Sequence, residues 1–344
     1  MRLATMTPVL LAAALSAAAP ARSAEPVSIR IAWVAPIGNM PSIQFLKPGL
    51  AQQNGKSYTM EGMHFASTPT MIPALAANEI DVATLSYAAF ANAVKNAGME
   101  DLRVIADEFQ DGVDGYYTDE MMVLKESHIQ NVEDLKGKVL STNGAGGAVD
   151  MALRMMLRKH GLEDKRDVTI IELGLPNQRA ALAERKADLV TTAIPFSQDP
   201  ELRRIARTLF TQKEAMGPTQ MIIWAARMPF ITKNRAALVD FLADTIRARR
   251  FYMDPANHAE AVKLAADYSK QPAASLDPWL FTKTGDYYRD PDDVPNMDAL
   301  QANIDLQHEL GFLKASFDVR NYADLDLVKE AARAVAASKG NSPP

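Results

Sequence analysis

The chain has 344 residues, 48% of them hydrophobic and 23% charged, with a net charge of −5. That length points to about two domains with buried cores, and the acidic balance gives no support for nucleic-acid binding, which requires a basic patch. There is no cysteine, which removes disulfides, thiolate metal sites and a lipid-bearing N-terminal cysteine.

The chain opens as an export signal. Arg2 gives a positive start, residues 9–19 form an Ala/Leu-rich apolar run, and Ala19-Pro20-Ala21-Arg22-Ser23-Ala24 offers small residues for cleavage. The run is too short for a membrane span. Residues 1–24 are therefore expected to be removed, leaving a mature chain in the periplasm.

The mature chain begins with an alternating strand over 27–34, a loop over 35–41, a poorly patterned helix over 42–52 and a second strand over 58–65. Ser67-Thr68-Pro69 reads as the cap and first turn of a helix running to Asn78. A strand opens at Asp81, a helix over 88–96 stops at Gly98, and 102–106 is a strand. The order then returns. A strand over 139–142 leads through Asn143-Gly144-Ala145-Gly146-Gly147 into an amphipathic helix over 148–160, ended by Gly161. A strand over 168–173, a helix from Pro176 and a strand opened by Asp188 follow. Two apolar runs, 121–124 and 219–225, are expected to lie side by side as connectors between two parallel-sheet cores. Beyond Asn234 the pattern is helical over 236–253, 256–269, 297–310 and 323–337.

One segment occurs twice. Ala74-Leu75-Ala76-Ala77-Asn78-Glu79-Ile80-Asp81-Val82-Ala83-Thr84 returns as Ala181-Leu182-Ala183-Glu184-Arg185-Lys186-Ala187-Asp188-Leu189-Val190-Thr191, a constant displacement (181 − 74 = 107). Two lobes built on one plan are expected, with a small solute held between them.

In open α/β sheets ligands sit beyond the C-terminal strand ends. In the first half those ends carry Ser67-Thr68-Pro69 and Ser86-Tyr87. In the second they carry the glycine turn and, 107 residues after Tyr87, Ile194-Pro195. A glycine turn opening a helix is either a seat for an anion on free N–H groups or simply a tight turn. Ser67 and Ser86 read equally as helix caps. Tyr116 and Tyr287-Tyr288 offer ring surfaces, and Arg289 offers a bidentate partner for an anionic head. Gln220, in the second connector, completes the candidates. The dinucleotide fingerprint fails at Val149, and no phosphate-loop Gly-Lys-Ser/Thr occurs. The five histidines show no metal-ligand spacing, and there is no Gly-x-Ser-x-Gly elbow. No cofactor is called for. Asp81 and Asp188 stand at strand starts, the end opposite the expected cleft, and read as turn residues.

Leu135-Lys136-Gly137-Lys138-Val139, the glycine turn, Leu157-Arg158-Lys159-His160-Gly161-Leu162 and the Asp188 unit together resemble the second lobe of periplasmic solute-binding proteins of ABC transporters, of the nitrate/sulfonate/taurine type. The resemblance implies an α/β, two-lobed periplasmic-binding-protein (type II) fold, with two parallel-sheet-based lobes joined by a two-strand hinge. The lobes would be 25–120 with 222–344, and 121–221. It implies a monomer that passes its ligand to an inner-membrane permease driven by an ATPase. It also implies a cleft containing Ile37, Thr68, Ser86, Tyr87, Asn143, Gly144, Ala145, Gly146 and Pro195. The ligand expected from the tyrosines and few cleft cations is a small organic anion, a sulfonate or carboxylate, with an aromatic body among the options. The alternative is an exported enzyme on the same fold, hydrolase-like or similar to the thiamine-precursor proteins, whose cysteine-rich motif is lacking here. A chemosensory partner on the same clamshell is a third reading.

Overall fold

A computed structural model describes residues 25–340; the export signal lies outside the described residues. The mature chain starts with β1 (Val27–Trp33), β2 (Tyr58–His64), α1 (Met71–Ala76), β3 (Val82–Ser86), α2 (Tyr87–Lys95) and β4 (Leu102–Asp111). It crosses to β5 (Glu120–Leu124), β6 (Val139–Thr142), α3 (Ala148–Lys159), β7 (Thr169–Glu172), α4 (Gln178–Ala183), β8 (Leu189–Thr191), α5 (Pro200–Ile205), β9 (Ala206–Thr211) and α6 (Gln212–Met216). It returns as β10 (Thr219–Arg227) and ends in α7 (Met228–Met253), α8 (His258–Ser269), α9 (Ala273–Leu276), α10 (Met297–Glu309) and α11 (Asp326–Gly340).

The strands form two five-stranded sheets, β2-β1-β3-β10-β4 and β7-β6-β8-β5-β9. The order is the same in both, and so is the departure from the expected parallel sheets. β10 runs against β3 and β4, and β5 runs against β8 and β9. The reason is the crossing point. β4 and β9 end there, so the strands that leave it, β5 and β10, must run the opposite way.

The expected pairing of 121–124 with 219–225 is not what forms. β5 lies between β8 and β9, and β10 lies between β3 and β4. The passages that run side by side are 112–119 and 212–218. Gln212 N donates to Asp119 O at 2.8 Å, and Lys213 N donates to Thr118 Oγ1 at 3.0 Å. Ladder pairs Asp111↔Thr219 and Glu120↔Thr211 flank them.

The doubled segment is doubled in geometry. Asn78 and Arg185, 107 apart, both take φ of 56°. The carboxylates that follow are clips rather than free turn residues. Asp81 accepts Arg30 N at 2.9 Å and pairs with the Arg30 guanidinium at 2.7 Å. Asp188 accepts Val139 N at 2.9 Å. Each ties the start of its strand to the neighbouring strand, Asp81 to the middle of β1 and Asp188 to the start of β6.

Other expectations shift. No α-helix spans 42–52; a short 3-10 turn at Met40–Ser42 is followed by turns and bends, because Pro48 lacks a donor and Gly49 turns left-handed at φ 89°. The α1 start has no side-chain cap; Thr70 Oγ1 donates instead to Ser67 O at 2.6 Å. α5, β9 and α6 were not anticipated. They are five or six residues each, too short to show a period. The tail helices pack on the first sheet: Phe241 of α7 lies 5.5 Å from Trp224 of β10 and 5.2 Å from Tyr58 of β2. No helix among the described residues is long and apolar enough to cross a membrane.

Candidate functional site

The C-terminal ends of the strands in both sheets face each other, and a cavity of about 60 Å³ lies between them. Lobe 1 lines it with Val34, Ala35, Gly38 and Asn39 after β1, with Thr68, Thr84 and Ser86, and with Phe109, Met221, Ile222 and Tyr287. Lobe 2 contributes Asn143, Gly147, Ala148, Val149, Leu175, Ala193 and Ile194. None of the lining residues is charged.

The polar groups are few and placed by the backbone. Ser86 caps α2, its Oγ accepting Ala89 N at 3.1 Å, and it pairs with Thr68 Oγ1 at 2.9 Å. The sequence therefore uses Ser86 as both cap and cavity wall. Opposite, α3 begins at Ala148. Its first-turn N–H groups have no carbonyl one turn back to bond, and Ala148 and Val149 both line the cavity. Asn143 Oδ1 is buried and unpartnered. Two helix N-termini, one from each lobe, thus meet at one small space, and each carries roughly half a positive charge.

The glycine turn is less open than its sequence implied. Gly146 N donates to Asp150 Oδ2 at 2.8 Å, and Gly147 N donates to Gly144 O at 3.1 Å. Asp150 is held in turn by Arg154. The seat that remains is the first turn of α3 itself. The turn has a second task. A Cβ on Gly144 would stand 2.7 Å from Ser67 of the facing lobe, and Gly146, at φ 78°, packs toward Asn92. The lobes meet through positions without side chains.

The candidate residues do not all meet at the cavity. Thr68, Ser86 and Asn143 line the cavity. Gly144 and Gly146 sit at its rim, while Ala145 is exposed outside it. Ile37, Tyr87, Pro195, Gln220 and Arg289 stand behind the wall. Ile37 holds a φ of 55° at the tip of the Ala35–Asn39 loop, a strained state for a branched side chain. Tyr87 Oη donates across the lobes to Ala148 O at 3.0 Å. Pro195 follows lining residue Ile194. Gln220 Nε2 donates to Asp107 Oδ1 at 2.6 Å. Arg289 is already engaged: it pairs with Asp286 at 2.8 Å, donates to Gly38 O at 2.9 Å and lies 5.5 Å over Phe109. Tyr116 lies elsewhere, in a recess behind the crossings with Tyr117, Arg203 and Trp279. A larger recess of about 580 Å³ lies at the strand starts of lobe 2, lined by His128, Lys138, Arg185 and Asp188. It is open, and it lies at the opposite end of that sheet from the helix N-termini.

Phe109, Asn39 and Met221 were missed. Phe109 falls in 107–111, where β4 continues beyond its expected end. Asn39 lay in plain view in the loop after β1. Its Oδ1 accepts Val34 N and Ala35 N at 3.1 and 2.7 Å, and Glu108 Oε1 accepts Met40 N at 2.6 Å. An Asn in the loop six residues after β1 was the available signal.

The model of the NMT1-like family matches residues 22–266. The chain belongs to the NMT1-like family. Among curated proteins none matches it. Solved structures show the same fold at low identity. The alkanesulfonate-binding protein of Xanthomonas axonopodis pv. citri, bound to MOPS, is 21% identical at a TM-score of 0.69, over 88% of this chain and 99% of that one. The periplasmic aliphatic sulphonate-binding protein of Escherichia coli is 20% identical at 0.66, over 87% and 92%. The periplasmic nitrate-binding protein of Synechocystis PCC 6803 is 16% identical at 0.71, over 93% and 91%. This NMT1-like chain therefore has the α/β periplasmic-binding-protein fold.

Proposed function

We propose that the protein is the solute-capturing component of an ABC importer, working as a monomer in the periplasm. A small organic anion, sulfonate or carboxylate, is held between the lobes and passed to an inner-membrane permease coupled to an ATPase. The carrying observation is the uncharged cavity met by one helix N-terminus from each lobe. The anion's oxygens would be met by N–H dipoles and the Ser86–Thr68 hydroxyls, and its body by Phe109, Tyr287, Met221 and Ile222. The family and the named neighbours, which are binding proteins for sulfonates and nitrate, support the same reading. The closed cavity has room for only a few waters, so capture requires the lobes to part and reclose, a hinge motion about 112–119 and 212–218.

The test is a thermal-shift screen of the mature chain, followed by calorimetry on hits. Ligand that binds only the folded state raises the melting temperature by mass action. A shift from one sulfonate or carboxylate class, with the ligand recovered unchanged by mass spectrometry, supports capture without catalysis. No shift from any anion rejects the anion reading, and conversion of the ligand rejects the non-catalytic one.

A further inference from the structure

Tyr287 touches three parts of the molecule at once. Its ring lies on Phe109 at 4.2 Å and 9°, and both rings line the cavity. Its hydroxyl donates to Asp119 Oδ1 at 2.5 Å, at the end of the first crossing, and accepts from Ile194 N of lobe 2 at 3.4 Å. Asp119 is fully buried, and its Oδ2 has no partner. Its backbone N–H donates to Asp111 Oδ2 at 2.7 Å, and Thr118 Oγ1 donates to Asp111 Oδ1 at 2.6 Å. Two buried carboxyl groups therefore stand at the two ends of the first crossing, held together through Asp119 N, and the Tyr287 phenol joins Asp119 to the cavity wall.

Other ionisable groups face this pair. From the crossing comes Tyr117, and from the start of β5 Glu120, which is paired with Arg203 of α5. From α6 comes Lys213, which packs on Gly112 and acts on Asp111. From α2 comes Tyr87. No cation is among the groups acting on Asp119. Burial, offset in part by Thr118 and Asp119 N, pushes the Asp111 carboxyl up to about 7. Burial and then repulsion from Asp111 push Asp119 well above the ordinary carboxylate range.

We infer that Asp111, Asp119 and Tyr287 form a proton-dependent latch that holds the lobes closed over the cavity. Two carboxylates this close in a dry hinge do not both ionise, so the closed form keeps a proton. Opening admits water and lets both ionise. Closure is then linked to proton uptake. The closed-state values lie above the ordinary one, so the latch is complete at low pH. It weakens as pH rises from the ordinary carboxylate value through about 7. Asp119 and Tyr287 act here as positioning residues. The inference rests on the capture reading only in taking closure as the binding step.

The test needs no ligand. The sequence has no cysteine, so Thr70→Cys, near Ser67, and Ala145→Cys, next to Gly144, both exposed, can carry spin labels across the cleft. Dipolar distances are measured on the unliganded chain at pH 5 and pH 8. The ratio of short- to long-distance populations should fall by at least about tenfold, the factor for a single pKa unit of linkage. Asp111→Asn should weaken this pH dependence, leaving the part carried by buried Asp119, and Tyr287→Phe, which keeps the ring, should lower the short-distance population at pH 5. If Asp111→Asn does not fold, Tyr287→Phe decides alone. A parent population that ignores pH, an Asn variant with the parent's pH dependence, or a Phe variant closed as often as the parent overturns the latch. Failure of every anion in the thermal screen would leave this result readable.

Discussion

Lobe 1 builds its sheet from two seven-residue strands, β1 and β2, and a ten-residue β4. Lobe 2 builds the same order from two four-residue strands, β6 and β7, and a six-residue β9 in the place of β4. The largest fully buried side chains, from Trp224 and Arg249 to Ile37 and Met40, all belong to lobe 1 and its tail. The outer face of lobe 2 has a small core of its own, with Met122, Leu182, Val190 and Leu202 at its centre. One topology therefore serves two mechanical roles. The shared part, strand ends and helix starts, lines the cavity; the added helices make lobe 1 the heavier of the two.

The largest test of this contrast is a core truncation in each lobe. Trp224→Ala removes a fully buried ring and its Nε1 bond to Glu108. It should cost about 3–5 kcal/mol and lower the melting of the whole molecule. Leu182→Ala should cost about 2–3 kcal/mol, with faster amide exchange confined to lobe 2. Equal spread of exchange from both variants would break the contrast.

Gly144→Val comes next. Its side chain must enter a space where Ser67 lies 2.7 Å from a Cβ, opposing closure by about 1–3 kcal/mol. Calorimetry should show weakened binding while the unliganded melting temperature holds, since the open form has no such clash. A variant that binds as tightly as the parent would mean that the lobes do not close to this contact.

A pH series sharpens the difference further. Burial, opposed by Arg249, pushes Asp107 and Asp293 of lobe 1 up to about 7. Their folded values exceed the ordinary 3.8, so their neutral forms favour folding fully below that value. The benefit is lost as pH rises to about 7. Denaturant midpoints should therefore be higher at pH 5 than at pH 8, and Asp107→Asn should flatten the slope.

The smallest effect separates the two clips. Asp81 holds both a backbone N–H and the Arg30 guanidinium, whereas Asp188 holds Val139 N alone. Asp81→Ala should cost about 1.5–3 kcal/mol and Asp188→Ala about 1 kcal/mol, by urea titration.

The lobe plan was legible because its signals are local. Asn78 and Arg185 turn left-handed at matching places, and strands over 139–142 and 58–64 carry their own punctuation. Thr68, Ser86 and Asn143 could be found because strand-end position follows from that punctuation. Strand direction could not, since β5 and β10 look like any apolar run until the crossing fixes which way they leave. Nor could the fate of Arg289: its charge was visible, but its engagement by Asp286 and Gly38 is a tertiary fact. Phe109 was hidden by the polar residues around it, Asp107, Glu108, Gln110 and Asp111, which look exposed in sequence and are all buried.

The place of β10 has a consequence for how this chain acquires its shape. Lobe 2 lies within one unbroken stretch and can assemble from neighbours in sequence. Lobe 1 cannot: β3 and β4 meet only through a strand that comes after lobe 2. Until residues 219–227 arrive, both strands present bare edges, which are templates for wrong pairing, and the closing contacts span more than a hundred residues, which slows folding. The sturdier lobe in the finished molecule is thus the later and more exposed one while the molecule is being made.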